Sequence, residues 1–590
     1  MNPFREAIVS DPWRAAATDV PEIQASVFRE CLQGIEHVRR AGRSAALLIH
    51  GGAGSGKTHL LGRLRSQLTL QAPTATDRDE CLFVWVRLQT SPRMIWRHVR
   101  RSLAEDWFRP VRGQSTQFAR VLSRRFAEIR IAEGDLEPWY EYMLDHHPDG
   151  LDELLEQIAD SLYLDRNTTI AFKHLAFNRH TRDLRAWLGG DSLPEQALAR
   201  LDLAQEEGTD EEREDEARRV VLMLCKLAGD SLPIVLSLDQ VEALQTSSTD
   251  REGLFAFGQL VSTLHDETSN VLIVSCVQSA FATELKDKSR GADYDRMTSL
   301  GARSLATLTR SEAEKLIASR LTLVDSVPSL PFEKDPLWPL DLAAYHRLTA
   351  LDELTPRRLL SACAERFEGW AAKLTTLSDD ASTERDLRDV TGSDHKLETS
   401  KEAFFQEEWQ RRFAVAQDLN QPDQTEEIIR HGVPLLLNRL AKQWHSTTDD
   451  ELPDVHLLFE SSDGKIGISV CAQPNMRTAG DQLKRLKDQW ASNKLTQLVI
   501  VQDARVPLTK GAKVARQSLD DLQSQGVVVV TPATEVLAGL DAARDLLSDA
   551  KSGDLAFRGD TLAGSAAEEW LSSHLPIDLR QFMEQLTVRR

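Results

Sequence analysis

Cysteine is scarce in this chain. Six residues in 590, at Cys31, Cys81, Cys225, Cys276, Cys363 and Cys471, lie far apart and form no Cys-x-x-Cys pair. That excludes a recognisable zinc site and a dense disulfide framework, and it predicts a reducing cytosol. Long apolar runs are missing too. Ile234 to Leu236 and Val527 to Val530 are only strand length, well short of the ~18 residues of a membrane helix. The opening Met1 to Glu6 lacks the charged and apolar regions of a secretory signal. Basic residues are outnumbered, 71 Lys and Arg against 91 Asp and Glu, a net charge of −20. A uniformly basic coat for nucleic acid is therefore excluded, and any such binding needs a local patch. No fixed-period repeat is visible, which excludes solenoids and propellers. With 41% hydrophobic and 27% charged residues, what remains is an ordinary globular chain long enough for several domains.

Apolar runs alternating with helical periodicity predict two α/β units. Helical spacing over residues 20–40 leads into the strand Ala45 to Ile49. Cys81 to Val86, Ile234 to Leu238 and Val271 to Val274 follow as buried strands, implying a parallel sheet. Thr309-Arg310-Ser311-Glu312 is a capping box opening a helical unit over 309–372. A polar stretch, 373–400, is the linker candidate. Beyond it, Val455 to Phe459, Ile466 to Val470, Leu498 to Val501 and Val527 to Val530 alternate with helices in a second α/β domain, 401–590.

Gly51-Gly52-Ala53-Gly54-Ser55-Gly56-Lys57-Thr58 satisfies G-x-x-x-x-G-K-[ST] between a strand and a helix. Gly51, Gly54 and Gly56 let backbone N–H groups surround phosphate oxygens at a helix N-terminus. Lys57 would reach the β- and γ-phosphates, and the Thr58 hydroxyl would hold Mg²⁺. Asp239, ending a buried strand in Leu238-Asp239-Gln240-Val241-Glu242, is the natural acid for the same Mg²⁺. Glu242 is the candidate to polarise water.

Four landmarks in order resemble an AAA+/STAND-like ATPase of the origin-recognition type over residues ~40–372. They are the P-loop, Asp239-x-x-Glu242, Val271 to Gln278, and Thr355-Pro356-Arg357-Arg358. The resemblance implies a P-loop ATPase core over 41–308 after an N-terminal helical segment, 1–40, and then a helical lid. It implies ATP and Mg²⁺ as ligands and self-association through the core. Ser275 or Gln278 would sense the nucleotide from the strand end, Arg357 would project from the lid to the γ-phosphate, and Arg296 would be an arginine finger for a neighbouring subunit. Gln240 stands where most AAA+ enzymes carry the base, so a slow, switch-like ATPase is the alternative, with a protein effector as its trigger.

The P-loop and Asp239 are about 180 residues apart, so a helical module, ~91–228, is inserted. Its first part is rich in arginine: Arg93, Arg97, Arg100 and Arg101 share a helix face beside Trp96, with Arg124 and Arg125 further on. Arginine favours phosphate, so this stretch is the candidate nucleic-acid surface. Its alternatives are a solvated face or a partner for the acidic block Glu206 to Glu216, itself expected to be solvated and partly disordered. An ATPase directed to nucleic acid, in phage defence or mobile-element control, is the resulting expectation.

The order of elements across 424–540 resembles the core of PD-(D/E)xK nucleases, a restriction-endonuclease-like fold. Asp454 or Glu460 is the candidate first acid. The second strand, Ile468 to Gln473, has no acid-x-Lys, so the metal site is expected to be broken and the domain inactive, with an ATP-gated nuclease as the alternative. Lys484, Arg485, Lys487, Lys510 and Lys513 are candidate phosphate contacts or plain surface. Cys471 is expected to be core rather than nucleophile.

Overall fold

The computed structural model describes residues 2–587 except 6–10, 15–17, 73, 77–78, 112–115, 129–135, 205–207, 230–231, 246–250, 325–330, 350–353, 380–400, 420–421, 441–442, 448, 450, 463, 510, 552, 554, 558–559 and 563. Its first sheet is parallel. The strands β1 (Ala45–Gly51), β2 (Leu82–Arg87), β3 (Ile234–Asp239), β4 (Val271–Gln278) and β5 (Ala302–Ser304) lie in the order β2-β3-β4-β1-β5. β4 therefore separates the P-loop strand from the strand that ends in Asp239.

Alternation along each strand feeds two cores, because successive side chains leave opposite faces. Ala45, Leu47 and Ile49 of β1 and Leu272, Val274 and Cys276 of β4 pack against the helices Ala25–Ala41 and Lys57–Leu68. Ala46 and Leu48, with Val271, Ile273 and Val277, enter a larger core with the insert. There Trp96, Val99, Leu103 and Trp107 of the helix Ile95–Trp107 meet Phe118, Phe126, Phe172 and Trp187 of the insert's other helices. The insert thus shares the core of the sheet.

The acidic block is only partly the solvated segment expected, with Glu211, Glu212 and Asp215 exposed. Asp210–Ala228 is a helix opened by a Thr209/Glu212 capping box, and Asp210 and Glu214 are held among arginines. Residues 205–207 lie outside the described set. The Thr309/Glu312 capping box forms as the sequence predicts, starting the lid helix Arg310–Leu321. The last lid helix, Pro356–Asp379, runs into the proposed linker, and 380–400 are outside the described residues.

The second sheet is mixed: β6 (His445–Thr447), β7 (Leu457–Ser461), β8 (Gly464–Cys471), β9 (Gln497–Gln502) and β10 (Val528–Val530), in the order β10-β9-β8-β7-β6. β8, β9 and β10 run parallel, and β7 and β6 are antiparallel to their neighbours. One face packs Phe459, Ile468, Val499 and Val501 against the helices Lys401–Leu419, Thr425–Leu440 and Thr534–Lys551. The other packs Leu498 and Ile500 against Met476–Ala491 and Lys513–Ser524. Among the described residues, no helix is long and apolar enough to cross a membrane.

Candidate nucleotide site

The P-loop turns at two glycines with left-handed backbone, Gly54 at φ +72° and Gly56 at φ +95°. A Cβ at Gly54 would lie 2.5 Å from Arg357 Cβ, so this glycine also admits the lid. Lys57 is buried and donates to the carbonyls of Gly51 (3.1 Å) and Gly52 (3.3 Å), at the mouth of the loop. The Thr58 hydroxyl donates to Asp239 Oδ2 at 2.9 Å. A hydroxyl and a buried carboxylate at hydrogen-bond distance beneath a glycine loop fit a hard divalent ion bound with a phosphate chain.

The same cleft has two further walls. From the lid come Leu316, Arg320, Pro356, Arg357 and Leu360; from a strap ahead of the first helix come Thr18, Val20, Ile23 and Gln24. Arg63 donates to the carbonyls of Ile23 (2.7 Å) and Pro21 (3.1 Å) and pairs with Asp19 at 3.1 Å. His59 meets the same carboxylate at 2.9 Å. Burial works against the charge on Asp19, but His59 and Arg63 outweigh it and hold the carboxyl below its usual range. On the far side the Gln24 amide donates to the Ala306 carbonyl at 2.7 Å, and Lys315 pairs with Glu22 at 2.5 Å. The strap therefore bridges core and lid. Ile23, counted by periodicity into the helix, belongs to this strap instead, because the helix begins at Ala25.

Strand register separates the two sensing candidates. Gln278 pairs with Gly51, level with the start of the P-loop. Ser275 pairs with Leu48 and Leu238, buried inside the sheet, and is not brought to the cleft. Glu242 is buried in the turn Val241–Leu244 and is not part of the cleft wall. Gln240 adopts the left-handed region at φ +55° and accepts from Arg87 Nε at 2.8 Å. Arg296 sits on the short helix Gly291–Met297, away from the cleft wall, and pairs with Asp266 at 2.7 Å.

Arg320 was missed by sequence reasoning. Its signal was there to read: it falls within the buried stripe Ala313, Leu316, Ile317 and Leu321, where a charge demands a partner.

The arginine-rich stretch is corrected most. Arg100, 1% exposed, donates to the carbonyls of Leu188 (2.8 Å) and Trp187 (2.6 Å), satisfying the end of the helix Thr181–Gly189. Arg125 does the same for Asp210–Ala228, donating to Leu227 at 2.8 Å and to Lys226. Arg97 pairs with Glu214 (3.3 Å) and Glu426 (3.2 Å), and Arg101 with Asp191 (3.1 Å) and Glu427 (3.4 Å). Burial alone would lower the Arg97 pKa; Glu426, Asp210 and Glu214 outweigh it and raise it above its ordinary value. Arg124 pairs with Glu80, and the half-exposed Arg93 with Glu252 at 2.9 Å. Apart from the exposed Arg93, the expected phosphate face is turned inward, because helix-end carbonyls and acids distant in sequence fold onto it.

The carboxy-terminal candidates are similarly engaged. Asp454 is buried and held bidentately by Arg485, with both contacts at 2.9 Å. Glu460 faces Lys465 across β7 and β8. Lys487 pairs with Asp521 at 2.7 Å and Lys484 with Asp481 at 3.5 Å; Lys513 is exposed, and Lys510 lies outside the described residues. Cys471 is buried and its thiol is pushed up to about 12 by desolvation. Among the described residues one grouping has metal-ligand spacing, Asp210, Glu426 and His456. Arg97, Arg213 and Arg430 already neutralise its two acids, which leaves no charge for a cation to compensate.

No family model and no curated relative matches the chain. A solved structure of the Aeropyrum pernix Orc1 protein in complex with DNA is similar at 12% identity, over 88% of this chain and 89% of that one, with a TM-score of 0.30.

Proposed function

We propose that the protein binds ATP with Mg²⁺ between P-loop and lid, hydrolyses it slowly, and works as a nucleotide-held switch. The Thr58–Asp239 contact beneath the glycine loop carries this reading. Around the same space stand Lys57, Arg320 and Arg357, three cations suited to a triphosphate. Val20, Ile23, Leu316 and Leu360 offer the apolar wall that a purine base needs. Thr58 and Asp239 would hold the magnesium, which neutralises charge on the phosphate oxygens when bound. Slow turnover is favoured by Gln240 and Glu242. An amide cannot take a proton from water, and a carboxylate buried in a turn outside the cleft wall is badly placed to do so.

Nucleic acid remains the first activator to offer, although the arginines expected to meet it are engaged internally. The decisive experiment is ATP binding and turnover by the full chain, with and without duplex DNA. Wild-type protein should bind ATP in a Mg²⁺-dependent way and turn it over slowly, and Lys57→Ala and Asp239→Asn should lose both. Undiminished ATP affinity in Lys57→Ala would sink the proposal. Turnover raised by duplex DNA would make nucleic acid the trigger.

A further inference from the structure

Arg357 of the cleft wall and two residues at neighbouring strand ends, Gln240 and Gln278, reach into one short stretch of the carboxy-terminal domain. Gln240, following β3, donates its amide to Asp549 Oδ1 at 3.3 Å. Gln278, ending β4, donates to the main-chain carbonyl of Lys551 at 3.2 Å. Arg357, from the lid, donates Nη1 to the carbonyl of Gly553 at 2.6 Å. In return the Lys551 ammonium donates to the carbonyl of Gln245, just beyond the Val241–Leu244 turn. Arg87, ending β2, pairs with Asp545 at 3.0 Å and with Asp549. Arg412 holds the same two acids from within the carboxy-terminal domain, at 3.0 and 2.6 Å.

The stretch is the end of the helix Thr534–Lys551 and the turn after it. Terminal carbonyls of a helix have no partner within the helix and carry its negative dipole end. With Asp545 and Asp549 already paired by Arg87 and Arg412, what the helix end presents to Arg357 and its neighbours is main-chain oxygen acceptors at the negative end of the dipole. Those are the attributes of a phosphate group.

We propose that this helix end occupies Arg357, a cation of the nucleotide cleft, so that the carboxy-terminal domain and the γ-phosphate of ATP compete for it. The inference rests on the nucleotide-binding reading. ADP, which has no γ-phosphate, leaves the helix end docked. ATP withdraws Arg357 toward the cleft and loosens the carboxy-terminal domain. Competition of this kind is reciprocal, so weakening the docking must tighten ATP and leave ADP unchanged.

The test is hydrogen–deuterium exchange on the full chain, without nucleotide, with ADP, and with a non-hydrolysable ATP analogue, alongside calorimetric affinities. Both nucleotides should protect Gly51 to Thr58, and only the analogue should speed exchange in the last turns of Thr534–Lys551. Lys551→Ala removes a docking contact without touching the cleft wall. It should raise affinity for the analogue about threefold to tenfold, the worth of one hydrogen bond, with ADP affinity unchanged. Protection of the P-loop by both nucleotides with identical exchange in the helix overturns the competition alone. Equal gains for ADP and analogue in Lys551→Ala do the same. No protection at Gly51 to Thr58 overturns the nucleotide reading, and the competition with it.

Discussion

Two stretches of this chain have the residue types suited to phosphate, and the fold disposes them in opposite ways. In the P-loop, eight consecutive residues build the cradle, and Thr58 and Lys57 make their contacts at its mouth. In the arginine-rich stretch, six candidate cations turn inward or pair off, capping two helices and meeting Glu80, Glu214, Glu426 and Glu427. The difference is one of locality. A glycine loop fixes its backbone within a few residues, so its geometry can be read in sequence. An arginine's role depends on which carboxylates the fold delivers, and Glu426 arrives from 329 residues away.

The contrast can be broken at either end. The largest effect is expected from Lys57→Ala, which should weaken ATP binding by about 100-fold or more while leaving the melting temperature of the unliganded protein unchanged. Next, Glu426→Ala should do the reverse. It strips a carboxylate from Arg97, Arg213 and Arg430, and breaking a buried pair costs about 3–5 kcal/mol. Denaturant titration should show the loss, with P-loop nucleotide affinity retained in the folded fraction.

Acid should act on the same interface. Burial opposes the charge on Glu426 and Glu427, but Arg213 and Arg97 outweigh it for the first, and His98, Arg544 and Arg101 for the second, so both sit below the ordinary 4.5. A lowered carboxylate stabilises the fold above its unfolded value and loses that contribution as pH falls toward the folded one. Contact between Thr425–Leu440 and the insert should therefore hold near neutrality and weaken progressively below about pH 4.5, measured by melting across pH; Glu427→Gln should blunt the slope. The smallest effect belongs to Arg93→Glu, whose exposed pair with Glu252 should be worth less than about 1 kcal/mol. A larger loss would mean that the stretch is not divided as described.

The central strands of both sheets were legible because each is a buried apolar run. β5 and β6 were not: Ala302–Ser304 and His445–Thr447 are three residues long with no buried position, and only pairing with β1 and β7 makes them strands. In the site, Lys57, Thr58 and Asp239 were legible from motif and strand end. Arg357 was placed by resemblance and does line the cleft. The strap Thr18 to Gln24 was hidden, since its role comes from Arg63 and Ala306 and its own short sequence has no motif. Glu242 was assigned by its spacing from Asp239 and Ser275 by resemblance, and neither says which way a turn or a strand faces.

The strap has a consequence for how the protein is made. Its residues leave the ribosome well ahead of the lid they touch, which is hundreds of residues behind them. A nascent chain that has completed β1 through β5 owns a P-loop with one wall missing. Only when Arg320, Arg357 and Leu360 emerge does the cleft close, and Gly553 follows later still. Because domains fold largely in the order of synthesis, nucleotide can enter the cleft before the carboxy-terminal helix exists to contest it. The newly made protein meets its ligand first and its own restraint second.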